Sequence, residues 1–304
     1  MDDNSHEVEQ QNIKPKTKLL NILLVFGFIV IISYYSLSAP LGNKDAIIHI
    51  HSGESVTTVS SELENKNAIR HSLILKIFVR LFESSNGVVS GDYLIKKHSP
   101  VFVVAWQIGR GHHNIDPIKI TIREGLNNEQ IAVILADKLS GFRKDLFLSG
   151  VNDKQGYLFP DTYFLFPLDT PDEIIDKLSN NFQSKIKKLN GDIGKSGKSL
   201  QEIITMASIL EGEAGGKEDI ETISGILWKR ISLGMPLQVD IDKSTYTNKG
   251  LPNRPLNNPG SMSITASLNP KDSPYLYYLH DKNGNVHFAV TFEEHKRNIS
   301  NYLK

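Results

Sequence analysis

With 304 residues the chain is long enough for one to three domains and a sizeable apolar core. Its 34 basic and 34 acidic side chains balance, so there is neither the cationic excess that points to nucleic acid nor the acidic excess of a solvating tail. The lack of cysteine excludes disulfides, thiol catalysis and cysteine-ligated metals.

Residues 1–18 are polar with mixed charge, the composition of a disordered tail. No charged residue then occurs from Leu19 to Asn43, and Leu19–Leu37 is almost wholly apolar. At about 1.5 Å per residue such a helix spans roughly 30 Å, enough to cross a bilayer. Lys14, Lys16 and Lys18 precede the run, while the nearest charges after it, Lys44 and Asp45, cancel. The positive-inside rule therefore places residues 1–18 in the cytoplasm, uses 19–38 as the span and puts everything after residue 43 outside the cell (inner) membrane. Tyr34 and Tyr35 then fall near the outer interface. A cleaved signal peptide is the competing reading, but its apolar stretch is usually ~7–15 residues, shorter than this one.

Residues 39–45 form a linker, after which the pattern becomes mixed α+β. AIIHI (46–50) predicts a strand ending at Ser52-Gly53. Val56, Val59 and Leu63 recur at helical spacing, and a second helix covers 72–82. Tyr93–Ile95 predicts a strand, 99–109 a helix and KITIR (119–123) a further strand. Asn127 or Asn128 caps a helix over 129–139 that Gly141 stops. GYLFPDTYFLFP (156–167) is aromatic and broken by prolines, so it cannot be a helix interior. Residues 172–189 carry the stripe Ile174, Ile175, Leu178, Phe182, Ile186, and 190–198 read as a glycine- and lysine-rich loop.

Ser199 with Glu202 fits a capping box opening a helix whose core stripe is Ile203, Met206, Ala207 and Leu210. Glu213 lies seven residues after Met206 and three after Leu210, beside that stripe. Glu211 lies about 200° round the wheel from it and points elsewhere. An acid set beside apolar neighbours keeps its proton to higher pH, as a general acid must, so Glu213 is the stronger catalytic candidate. The competing assignment is a structural carboxylate paired with Lys217 at i+4. Ile220, Ile223, Leu227 and Ile231 make a following helix ended by Gly234 and Pro236. A loop-rich stretch, a short helix with Ala266 and Leu268, a hairpin of 275–280 with 286–290, and a helical tail from Thr291 complete the chain.

The segments REGLNNEQIA (123–132), GYLFPDTYFLFP (156–167), MASILEGEA (206–214), ISGILWKRISLGMPLQVD (223–240), TYTNKGLPNRPLNNPGSMSITASLNP (245–270) and SPYLYYLHDKNGNVHFAVTFEEHKRN (273–298) together resemble the membrane-anchored endolytic murein transglycosylases, the YceG-like group. That resemblance implies a single N-terminal transmembrane helix, a small LysM-like α+β region over 46–122 and an α+β catalytic domain over 123–304 facing peptidoglycan. It implies cleavage of the β-1,4 bond between N-acetylmuramic acid and N-acetylglucosamine in nascent glycan strands, a lyase reaction that can terminate glycan elongation. The family's essential glutamate is the second acid of its E-x-E signature, Glu213 here. One glutamic acid protonates the glycosidic oxygen and then, as a carboxylate, takes the C6 hydroxyl proton while a 1,6-anhydro ring closes. Neither metal nor organic cofactor is needed. Peptidoglycan synthases are the implied protein partners, and no nucleic acid is involved. The sequence departs from the pattern in three places: the insertion expected after Asp240 is cut to IDKSTY, Ser244 replaces an asparagine, and Gln155 replaces a glutamate.

Each remaining candidate fits a structural role as well as a functional one. Gln238 and Asp240 follow a helix stop and suit sugar hydroxyls or ordinary loop hydrogen bonds. Tyr246 and Asn258 are groove candidates on the same footing, and Tyr157, Phe159 and Tyr163 are candidates for its wall. His287 on a strand suits substrate or a structural bond. His49 and His51 share a strand face, but no third metal ligand is evident; His112-His113 reads as solvated. Two rival functions remain: a non-catalytic peptidoglycan-binding scaffold organising synthetic enzymes, and a water-using muramidase with Asp240 as second acid.

Overall fold

The computed structural model describes residues 15–41, 44–82, 87–213 and 219–303, and shows a mixed α+β chain with one long apolar helix at its N-terminal end. Most of the expected cytoplasmic tail (1–14, with Lys14), residues 42–43 of the linker, and Gly215, Gly216 and Lys217 beyond Glu213 lie outside the described residues. The chain divides into two compact units, 1–116 and 117–304.

In the first unit, α1 (Pro15–Leu37) is long and apolar enough to cross a membrane, and its side chains from Leu19 to Tyr35 are almost all solvent-exposed. After it come β1 (Ala46–Ile50), α2 (Val56–Asn65), α3 (Ser72–Phe82), β2 (Gly91–Ile95) and α4 (Val101–Arg110). β1 and β2 pair antiparallel, with Ala46 opposite Ile95 and Ile50 opposite Gly91. Alternation turns Ile48 and Ile50 inward, and they meet Val59, Leu63, Leu75, Val79, Val104 and Ile108 in one core. Ser55 caps α2 by accepting from the Thr58 amide, and Gly111 ends α4 in the left-handed conformation. His112 and His113 are not simply solvated: the His112 ring stacks on Trp106, and the His113 ring packs at a tilt against Tyr93.

The second unit holds β3 (Ile118–Thr121), α5 (Asn128–Lys138), α6 (Lys144–Gly150), β4 (Thr162–Leu165), α7 (Pro171–Lys187), α8 (Asn190–Ser196), α9 (Leu200–Glu213), α10 (Ile220–Ser232), a 3₁₀ turn (Lys243–Tyr246), α11 (Ser261–Leu268), β5 (Tyr277–His280), β6 (Val286–Ala289) and α12 (Phe292–Tyr302). Capping boxes open α5 (Asn127 with Gln130), α7 (Thr170 with Glu173) and α12 (Thr291 with Glu294), and Ser199 and Glu202 bond reciprocally before α9. The stretch expected to be a loop at 190–198 is instead largely α8. Leu189 and Ile193 pack on the core around Phe182 and Ile203, and that anchoring outweighs the glycines. The proline-broken aromatic segment supplies a strand: β4 pairs antiparallel with β3, Thr162 opposite Thr121.

α9 is the spine of this unit. Met206, Ile209 and Leu210 face α10 and the loop residues Leu237 and Val239, while Ile203, Ile204 and Ala207 face α7 and α11. Its C-terminal turn is thereby held between α11 on one side and segment 237–246 on the other.

Candidate active site

Both glutamates of the EGE sequence emerge from that last turn, toward different partners. The Glu211 carboxylate accepts from the Gly260 amide at 2.9 Å and from Ser263 Oγ at 2.7 Å. Gly260 is the N-cap of α11 and has no side chain to do this, so Glu211 caps the helix from outside and neutralises its positive end. A side chain at Gly260 would collide with Glu124, which occupies the space a Cβ would need.

Glu213 faces a cleft of about 540 Å³. Its Oε1 accepts from the main-chain amide of Asp240 at 2.8 Å, and its Oε2 from the Tyr278 hydroxyl at 3.3 Å. Gly212 makes the first contact possible, because the Ile241 side chain lies where a Cβ at 212 would stand. Gln238 adopts a positive φ of 56°, uncommon for a non-glycine residue, which turns the chain so that Val239 is buried and the Asp240 amide points at Glu213. Thr245 holds the turn shut: its Oγ1 accepts from the Val239 amide and donates to the Asp242 carbonyl.

Around Glu213 the cleft is lined by Arg230, Gln238, Asp240, Tyr246, Tyr277, Tyr278 and, from α12, Phe292 and His295. Arg230 is 5% exposed and has no carboxylate partner among the described residues; it donates to Gln238 Oε1 and lies 5.5 Å from the Tyr277 ring. Burial lowers its affinity for the proton relative to a free guanidinium. Burial, then the adjacent Glu213 charge, pushes the Tyr278 hydroxyl well above the usual phenol range. The hydrogen bonds from Lys243 and Tyr246 hold the Asp240 carboxyl below its ordinary value. Burial and the nearby Arg230 charge lower His295.

The structure thus gathers Glu213, Gln238, Asp240 and Tyr246 at one cleft and leaves two expected residues out of it. Asn258 is completely buried: its Oδ1 accepts from the amides of Gly156 and Leu158, and its Nδ2 donates to the Leu126 carbonyl and Asn128 Oδ1. Every polar atom is used to hold the aromatic segment against β3–α5, so none remains for a groove. His287 stacks on Tyr302 at 3.5 Å and bonds Asp281 at 3.1 Å, bracing the β5–β6 hairpin. Tyr157, Phe159 and Tyr163 do not line the cleft either. Tyr157 packs edge-on against Phe182, Phe159 is buried, and the Tyr163 hydroxyl donates to the Phe159 carbonyl. Tyr246, Tyr277, Tyr278 and Phe292 are the aromatic walls instead.

Sequence reasoning missed Arg230, although a signal existed. It sits seven residues after Ile223 and three after Leu227, the same offsets that place Glu213 beside the stripe of α9. Tyr277, Tyr278, Phe292 and His295 could not be assembled from spacing, because the hairpin and α12 bring them in from far along the chain.

A family model described as the YceG-like family matches residues 48–242 and 244–301, breaking at Lys243 inside the short turn after Asp240. A protein named endolytic murein transglycosylase from Bacillus subtilis (strain 168) is 27% identical, the match covering 84% of each chain. One of the same name from Streptococcus pneumoniae serotype 2 (strain D39) is 23% identical over 86% of this chain and 59% of its own length. The crystal structure of a yceG-like protein from Listeria monocytogenes superposes with a TM-score of 0.56 at 25% identity, covering 84% of this chain and 99% of that one.

Proposed function

The chain belongs to the YceG-like family, and from that premise we propose that it is a membrane-anchored endolytic peptidoglycan transglycosylase, cutting the bond between N-acetylmuramic acid and N-acetylglucosamine within glycan strands. The observation that carries this reading is the fixed carboxyl of Glu213 in an aromatic-walled cleft.

Its two oxygens have different partners, which supports different roles for them. An amide N–H can only donate, so the Asp240 amide commits Oε1 as an acceptor, and a proton on this carboxyl sits on Oε2. Oε2 delivers that proton to the glycosidic oxygen as the C1–O bond breaks. The carboxylate left behind accepts the proton of the muramyl C6 hydroxyl while O6 bonds to C1, giving the 1,6-anhydro end. Glu213 is returned to its starting state and no water is consumed. Tyr278 stays neutral throughout, because its hydroxyl titrates far above the working range, and it accepts from protonated Oε2 or donates to the ionised form. Arg230 has only donors, so the Gln238 amide oxygen must face it, which leaves the Gln238 nitrogen to donate to a sugar hydroxyl. Tyr246, Tyr277 and Phe292 give the cleft an aromatic lining against which sugar rings can pack.

In this reading α1 is a single-pass anchor with its N-terminus cytoplasmic. The α+β region over 46–122 is LysM-like, and synthases of the same strands are partners. The test is the mass of the glycan ends released by the purified chain: anhydro-muramic ends are lighter than hydrolytic ends by one water. Hydrolytic ends would make it a muramidase. Binding to murein with no released fragment would leave the scaffold reading, which the shortened turn after Asp240 favours.

A further inference from the structure

In the first unit, α3 has the sequence SLILKIFVRLF and contains no acidic residue. Leu75 and Val79 point into the core and are fully buried. The opposite face of an ordinary surface helix would be polar. Here it carries Leu73, Ile77 and Leu81, which are 67%, 55% and 70% exposed, with Lys76 and Arg80 beside them. On a helical wheel these five residues fill one continuous sector centred opposite Leu75 and Val79. Phe78 stacks on Phe82 and touches Phe102, which with Trp106 continues the exposed apolar surface onto α4.

The position of α3 is fixed relative to the end of α1. Arg70, two residues before α3, lies over the Tyr35 ring at 4.0 Å and donates to the Ala39 carbonyl at 2.9 Å. Leu37 packs against the core of the unit. The start of α3 is therefore clasped to the end of the apolar helix, at the depth where Tyr34 and Tyr35 would meet lipid headgroups.

We propose that α3 is an interfacial helix that docks the first unit onto the outer surface of an anionic phospholipid bilayer, with Leu73, Ile77 and Leu81 among the acyl chains and Lys76 and Arg80 on the lipid phosphates. This rests on α1 being a membrane span and is independent of the glycan chemistry. Exposed aliphatic residues with cations and no acid are the composition of such helices. The same cations disfavour a second copy of the chain as the occupant, since two such faces would oppose Lys76 and Arg80 to their own kind.

The chain has no cysteine, so I77C in the full-length protein carries a single environment-sensitive fluorophore. The labelled protein is reconstituted into phosphatidylglycerol-containing vesicles, with L73C and L81C as alternative sites and S61C on α2 as the water-facing control. The expected result is blue-shifted emission at 73, 77 and 81, quenched by brominated acyl chains and shielded from acrylamide, with none of this at 61. Reversing the cations (K76E/R80E) should weaken insertion by roughly fivefold per charge. Acrylamide access without lipid quenching overturns the proposal, and so does shielding without lipid quenching, which means that protein covers the face. An alkaline wash reads the premise separately: release from the vesicles removes the anchor and the proposal with it, while retention with a water-exposed probe overturns the docking alone.

Discussion

The main-chain amide of Asp240 donates to Glu213 Oε1 at 2.8 Å. A side chain on the last residue of a helix would ordinarily sample many rotamers, and this bond ties it to a segment whose own shape is set by Thr245 and by the positive φ of Gln238. The acid is held by backbone, which side-chain substitution in the cleft does not remove.

Replacing Glu213 with glutamine keeps an acceptor for the Asp240 amide and removes the transferable proton. The expected result is a folded protein whose release of anhydro-muramic ends falls by roughly 10²–10⁴-fold, the usual worth of a general acid–base group. Glu211→Gln should retain the product, because its carbonyl still accepts from Gly260 and Ser263; losing the charge at the start of α11 should cost stability, about 0.3–1 kcal/mol in urea unfolding. Equal inactivation by both substitutions would contradict the division of roles.

Tyr278→Phe removes the second contact to Glu213 without touching the first. A fall in kcat of about tenfold with little change in KM is expected, the size of one hydrogen bond to a charged group, ~1.5 kcal/mol. Single-turnover rates on defined glycan strands would show it. A raised KM with unchanged kcat would make Tyr278 a binding residue rather than one that positions the acid.

Local chemistry was readable where a single helix decides it. The offsets of Glu213 from Met206 and Leu210 separated it from Glu211, and the structure sends the two acids to different partners for that reason. Asn258 and His287 misled because a polar residue in a loop or strand gives no hint of partners such as Gly156, a hundred residues away, or Tyr302. Aromatic content similarly failed to distinguish the interior segment at 156–167 from the cleft walls, which come from the hairpin and α12. α8 was invisible because Ile193, its anchor, is one apolar residue among glycines and lysines.

Asn258→Ala leaves the buried amides of Gly156 and Leu158 without an acceptor. Each orphaned group costs about 1–3 kcal/mol, so a loss of ~3 kcal/mol or more is expected in urea unfolding of the protein. A groove contact would instead leave the unfolding midpoint in place and raise KM.

Stability should decline on the alkaline side. Burial raises Tyr163 to about 12, and Tyr157 and Tyr278 are also raised. A phenol whose folded pKa exceeds its unfolded value near 10 contributes stability fully below ~10 and loses it as pH rises toward the folded value. Melting temperature should therefore fall progressively above about pH 10. Tyr163→Phe should flatten part of that decline while lowering stability at neutral pH, since its hydroxyl bonds the Phe159 carbonyl and Asn181. An unchanged slope would exclude Tyr163 as a contributor.

Gly212→Ala offers the sharpest test of how the acid is placed. By helix propensity alone the change should stabilise α9, by up to ~1 kcal/mol. The new methyl would stand 2.2 Å from Ile241 Cδ1 and 3.1 Å from its Cγ1, so the neighbouring side chain has to move. Ile241 adjoins Asp240, whose amide holds Glu213, and the displacement passes directly into that bond. Activity should drop with little loss of stability. Ile241→Ala alone, at a residue 38% exposed, should be nearly neutral. The double substitution vacates the space the methyl needs and should recover most of the rate, so the double-mutant cycle shows a favourable coupling on the order of 1–2 kcal/mol. If G212A/I241A is as inactive as G212A, the glycine serves some purpose other than letting Ile241 approach, and the link from Gly212 through Ile241 and Asp240 to Glu213 is wrong.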